Sequence, residues 1–119
     1  MLAFLRDWIS RFRSKPFAQG VQVSGGDVTL FEGGRQYARF TWDEIREIAT
    51  FKRDRGTHDD IRLAFRTDDH WLEVSEAAEG WSDLSAAIRR RFPTIPGNWY
   101  ETVMLPPFET CYRVLYERA

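Results

Sequence analysis

Between Asp60 and Phe65 the chain reads Asp-Ile-Arg-Leu-Ala-Phe, the clearest alternation in the sequence and the feature that most limits its fold. A period of two places Ile61, Leu63 and Phe65 on one face of a strand and Arg62, Ala64 and Arg66 on the other. The neighbouring segments repeat the pattern. Ile45 and Ile48 lead into a strand reaching Lys52 or Arg53, and "HWLEVSE" sets Leu72 and Val74 on one face. The turn residues of "RGTHDD" and "TDD" separate the runs, so residues 45–75 predict a three-stranded meander.

The same period begins earlier. "VQVSGGDVTLFEGG" predicts strands over Val21–Ser24 and Asp27–Glu32, turned at Gly25-Gly26, and Gly33-Gly34 turns into a third over 35–40. Thr41 with Glu44 three residues on has the spacing of a capping box and predicts a short helical turn. After the meander, Trp81, Leu84, Ile88 and Phe92 form a helical stripe. Asp83 near its start and Arg89-Arg90-Arg91 near its end match the helix dipole, and Pro93 ends it. Prolines 96, 106 and 107 leave room for one turn of helix around Trp99–Val103, and "TCYRVLYER" closes as a strand, with Tyr112, Val114 and Tyr116 opposite Cys111, Arg113 and Leu115.

A different period marks the first residues. Leu2, Leu5, Trp8, Ile9 and Phe12 recur at spacings of three and four, with arginines between, and predict an amphipathic helical arm over 1–19 stopped by Pro16. The expected architecture is therefore one α+β domain over 20–119 preceded by that arm. Its sheet is expected to be antiparallel and strongly bent, or a partial barrel, of about six or seven strands, with one packed helix in the C-terminal half. A chain of 119 residues is long enough for a single modest core.

Charge narrows the function classes. Residues 1–20 carry four bases against one acid, net +3, which leaves −4 on the other 99 residues of a chain whose total is −1. A mildly acidic body argues against nucleic-acid binding. A single cysteine, Cys111, allows no intrachain disulfide and no cysteine zinc cluster. Arginine interrupts "MLAFLRDWIS" before any secretory apolar core forms, and no segment has the ~18 apolar residues of a membrane span, so the expected location is cytoplasmic.

The candidate chemistry is thin. His58 with Asp59 and Asp60, or His70 with Asp68 and Asp69, could supply metal ligands or a proton-transfer group, which keeps a small metal-dependent or hydrolytic enzyme as one reading. The two clusters flank one strand, however, and at about 3.3 Å per residue they lie roughly 20 Å apart. Lys52, Arg53 and Arg55 are a candidate anion contact, with cross-strand pairing to Asp59 or Asp60 as the competing role. Cys111 lies in a predicted strand with no histidine near it in sequence, which favours a buried thiol over a nucleophile. No cofactor motif and no small-molecule site is visible.

Aromatic residues are the excess, at 15% of the chain. Trp99, Tyr100, Phe108 and Tyr112, set among prolines, suit a protein partner, as do Leu5, Trp8, Ile9 and Phe12 on the arm. Size, acidity and the lack of catalytic motifs give a non-catalytic protein-binding domain, in its specific form a toxin-neutralising immunity-type protein. Self-association as a homodimer is the companion expectation. Recruitment to a membrane surface through the basic arm is the alternative.

The block from "FTWDEIREIATFKRD" through "DIRLAF", "EVSEAAEGWSDL" and "PPFETCYRVLYER" resembles a family of small uncharacterised bacterial proteins, with no activity to carry over. Separately, the order of short strands, the "WDEI" turn and the later helix resemble PH-like and GRAM-like domains, a likeness that implies a binding role. The proline-broken tail and final strand depart from that pattern.

Overall fold

The computed structural model describes residues 18–54, 59–68, 70–105 and 111–119. The arm over 1–19 expected from sequence therefore lies, but for its last two residues, outside the described residues. Seven strands form one sheet: β1 (Ala18–Val23), β2 (Asp27–Glu32), β3 (Arg35–Thr41), β4 (Glu47–Asp54), β5 (Asp59–Arg66), β6 (Trp71–Glu79) and β7 (Arg113–Glu117). Helix α1 (Trp81–Arg91) and the short helix α2 (Trp99–Met104) intervene before β7.

Strand order across the sheet is β3-β2-β1-β6-β5-β4-β7. Neighbours run antiparallel except β1 and β6, which are parallel. The sheet is thus mixed, a correction to the fully antiparallel sheet expected. Alternation assigns side chains to faces but carries no strand direction, and this parallel contact joins residues more than fifty positions apart. Among the described residues the sheet stays open, with β3 and β7 as its edges.

The bend is strong. Phe40 on β3 and Phe65 on β5 have ring centroids 5.3 Å apart although three strands separate their own. A flat sheet, at about 4.8 Å per strand, would hold them roughly 19 Å apart. The sheet therefore curls over its apolar face, where Val28, Leu30, Ile45, Ile48, Leu63 and Val74 are fully buried. Helix α1 closes the open side with Leu84 and Ile88 from the expected stripe and with Ala87 beside them. Glu44 accepts from the Thr41 amide at 2.8 Å, so the capping-box spacing does mark the turn over 42–44.

Gly80 makes the junction between β6 and α1. Its φ is +95°, and a side-chain carbon there would overlap the Val21 carbonyl oxygen and lie 3.1 Å from Val21 Cγ1. Only glycine lets β1 pass so close to the start of α1.

The other face of the sheet is also buried. Ala49, Phe51, Ala64 and Trp71 form a second apolar cluster with Tyr112 packed against it. Between them runs an ion network. Arg62 bonds Asp60 at 2.7 Å and also Glu73, while Arg53 holds both Glu73 oxygens at 2.7 and 3.1 Å. Ser75 donates to the other Asp60 oxygen at 2.7 Å. Buried charges persist only where such pairing replaces water.

At β7 the expected alternation fails. A register shift opposite Ile48 and Ala49 inserts an extra residue, so Leu115 is buried and Tyr116 packs on the same core, while Val114 is 40% exposed. Bulges re-aim side chains in this way at sheet edges.

Candidate functional site

Helix α2 crosses the end of the core formed by β4 and β5, and the sequence explains its hold. Trp99 and Val103, one turn apart, are buried, and Trp99 packs at a tilt against Trp81 at the start of α1 with centroids 6.2 Å apart. Two polar anchors fix it further. Lys52, whose side chain is 1% exposed, donates to the Met104 carbonyl at 3.0 Å and pairs with Asp59 at 3.4 Å. A cation at a helix C-terminus is favoured by the helix dipole. Glu76 accepts from the Ile61 amide and from the Tyr100 hydroxyl, each at 2.7 Å. That hydrogen bond, with some burial and the charges of Glu76 and Glu101, pushes the Tyr100 phenol up to about 12.

With its inner side fixed, α2 leaves two consecutive apolar side chains in water. Met104 is 48% exposed and Leu105 69%. Cys111 Sγ lies 3.5 Å from the Leu105 carbonyl, and Cys111 itself has φ of +49°, so the returning chain is tied to the same ridge. Sequence reasoning missed Met104 and Leu105. The run Val103-Met104-Leu105 was the available signal, because three successive apolar residues cannot all face inward from a helix end.

The residues singled out from sequence scatter. Trp99 is 4% exposed and belongs to the core, while Tyr100 and Tyr112 are half-buried. Tyr112 donates to Glu47 at 3.1 Å, and burial first, then Glu47, raises its phenol well above the ordinary value. Leu5, Trp8, Ile9, Phe12 and Phe108 lie outside the described residues. The basic run splits between faces: Lys52 turns under α2, and Arg53 turns to Glu73 rather than to Asp59 or Asp60. Arg55 and His58 lie outside the described residues.

His70 is exposed in the β5–β6 turn, its backbone exchanging hydrogen bonds with Thr67. Beside it Arg46 takes Asp68 at 2.8 Å and holds that carboxyl below its ordinary range, and Asp69 lies outside the described residues. No group of three or more His, Cys, Asp or Glu among the described residues is placed to hold a metal ion. No helix among them is long and apolar enough to cross a membrane. Comparison of the chain with family models, curated proteins and solved structures finds no match.

Proposed function

We propose that this chain is a non-catalytic protein-binding domain whose docking surface is the ridge formed by the end of α2. The observation that carries the reading is the pair Met104 and Leu105, large apolar side chains left in water on a backbone that Lys52 fixes from below. A rigid apolar anchor costs little ordering entropy on association, which favours binding. Half-buried Tyr100, held by Glu76, adds an aromatic shoulder of the kind enriched at interfaces.

The specific form of the reading is an immunity-type protein in which the ridge covers a toxin. The test is affinity capture with the full chain and with Leu105→Asp. A stoichiometric partner retained by the first and lost by the second, at equal thermal stability, supports the reading. A partner held equally by both would move the docking surface elsewhere.

A further inference from the structure

We infer that the N-terminal arm forms a third layer of this fold: residues 2–15 lie as a helix across the second face of the sheet, over Phe51, Ala64 and Trp71, with Leu5, Trp8, Ile9 and Phe12 turned onto it. The inference stands apart from the α2 ridge and gives the arm an intramolecular role.

The second face is shielded as well as the first. Ala49, Phe51 and Ala64 are completely buried, and Trp71, Arg62 and Glu73 are buried around them. A sheet face this dry carries another layer. Neither described helix supplies it. The buried residues of α1 and α2, namely Leu84, Ala87, Ile88, Trp99 and Val103, all belong to the first cluster. Among the described residues the second cluster takes in only Tyr112 from outside β4, β5 and β6. The outer strands cannot fold over it either, because the sheet curls toward the first face, where Phe40 meets Phe65.

Two of the connecting segments are too short to be that layer. Residues 55–58 join Asp54 to Asp59 at the tip of β4 and β5, and the Ala49–Ala64 pair lies about 17 Å back along the strands. Residues 106–110 leave Leu105 and return to Cys111, which packs on the first cluster with its Sγ 3.5 Å from the Leu105 carbonyl. A loop closed so tightly extends about 10 Å at most. Rounding the sheet edge uses that reach, and Trp71 and Glu73 lie two strands further in than β4.

The arm has the position, the length and the face. β1 starts at Ala18, parallel to β6 and opposite Val74, so the chain before it arrives alongside Glu73 and Trp71 at the margin of the buried patch. As a helix stopped by Pro16, residues 2–15 span roughly 20 Å, and the patch from β6 across β5 to β4 is about 10 Å wide. A helix of that length is not stable alone and needs a surface for its apolar side. The charges of the patch are matched within it, Arg53, Arg62 and Arg66 meeting Glu73, Asp60 and Glu47. What it offers an occupant is therefore apolar area, which suits the leucine and aromatic side of the arm and leaves its arginines to water.

The test is NMR of the isotope-labelled full chain. Nuclear Overhauser contacts are expected from the Ala49 and Ala64 methyls and the Trp71 ring to the side chains of Leu5, Ile9 or Phe12. Ile9→Asp should erase them and shift both alanine methyl signals, with the Val28 and Leu84 methyls of the first cluster in place. Ser10→Asp, on the opposite side of the arm, should preserve them. The wild-type contacts decide the matter even where Ile9→Asp fails to fold. Mixing labelled with unlabelled chains shows whose arm it is: the same contacts arising between chains would put a second copy's arm on this face and overturn the inference. No contact from residues 2–15 to Ala49, Ala64 or Trp71 would overturn it as well, whether the arm then meets water, lipid or another protein.

Discussion

Gly80→Ala puts the most unusual contact of the fold under load. The substitution has two separable costs. A residue with a Cβ held at left-handed φ loses about 1–2 kcal/mol, and Gly80 sits at +95°. The added carbon also overlaps the Val21 carbonyl and crowds Val21 Cγ1, so β1 must move away from the start of α1. Overpacking of this kind adds about 1–3 kcal/mol. The sum, about 2–5 kcal/mol, is a large share of a typical stability of roughly 5–15 kcal/mol.

Urea unfolding followed by tryptophan fluorescence reads it. The midpoint should fall by about 1–2 M with an unchanged slope. Gly34→Ala is the internal control: its φ is +78° but nothing lies within 4 Å of the added carbon, so it suffers only the backbone cost. Gly25→Ala, in open space, should do least. If Gly80→Ala matched Gly34→Ala to within about 0.5 kcal/mol, β1 would not pass where the parallel pairing with β6 puts it.

Three further outcomes are expected. Glu73→Ala removes the carboxylate that Arg62 and Arg53 share on the buried second face, leaving Arg62 on Asp60, and should cost up to about 3–5 kcal/mol in the same assay, whereas Arg46→Ala, at an exposed pair, should cost under about 1 kcal/mol. Tyr100 ionises near 12 in the folded chain against 10 for a free phenol, so the folded state holds this proton more tightly. Its contribution to stability is present below pH 10 and is lost as pH rises through 12. Near-ultraviolet absorbance should show Glu76→Gln advancing one tyrosine toward 10, and no change would remove the Tyr100–Glu76 bond. Lys52→Met should speed hydrogen exchange across α2 more than across α1, because it frees the Met104 carbonyl.

Where local periodicity decides the outcome, the sequence is enough. Alternation places Ile61, Leu63 and Phe65 on the core face, the glycine pairs mark hairpins, and Trp81 through Ile88 predict α1. What escapes is set by contacts distant in the chain. The parallel pairing of β1 with β6 has no local signature, and the bulge at β7 turns Leu115 and Tyr116 onto the same core with no glycine to announce it. Lys52 and Arg53 illustrate the same limit at the site. A basic run beside a turn looks like an anion contact, yet strand alternation sends one cation under α2 and the other across to Glu73, on opposite faces. Met104 and Leu105 become visible only once Trp99 and Val103 have claimed the inner side of α2.

The most direct measurement is the affinity of the captured partner for the full chain and for Leu105→Ala, by titration calorimetry. Fully burying a leucine gives about 1.5–3 kcal/mol, and Leu105 still has 69% of its surface to cover. Docking on the ridge therefore predicts a loss of about 1–2 kcal/mol, roughly five- to thirtyfold in Kd, with thermal stability unchanged. A partner that binds Leu105→Ala within about twofold of wild type would contradict the assignment of this ridge.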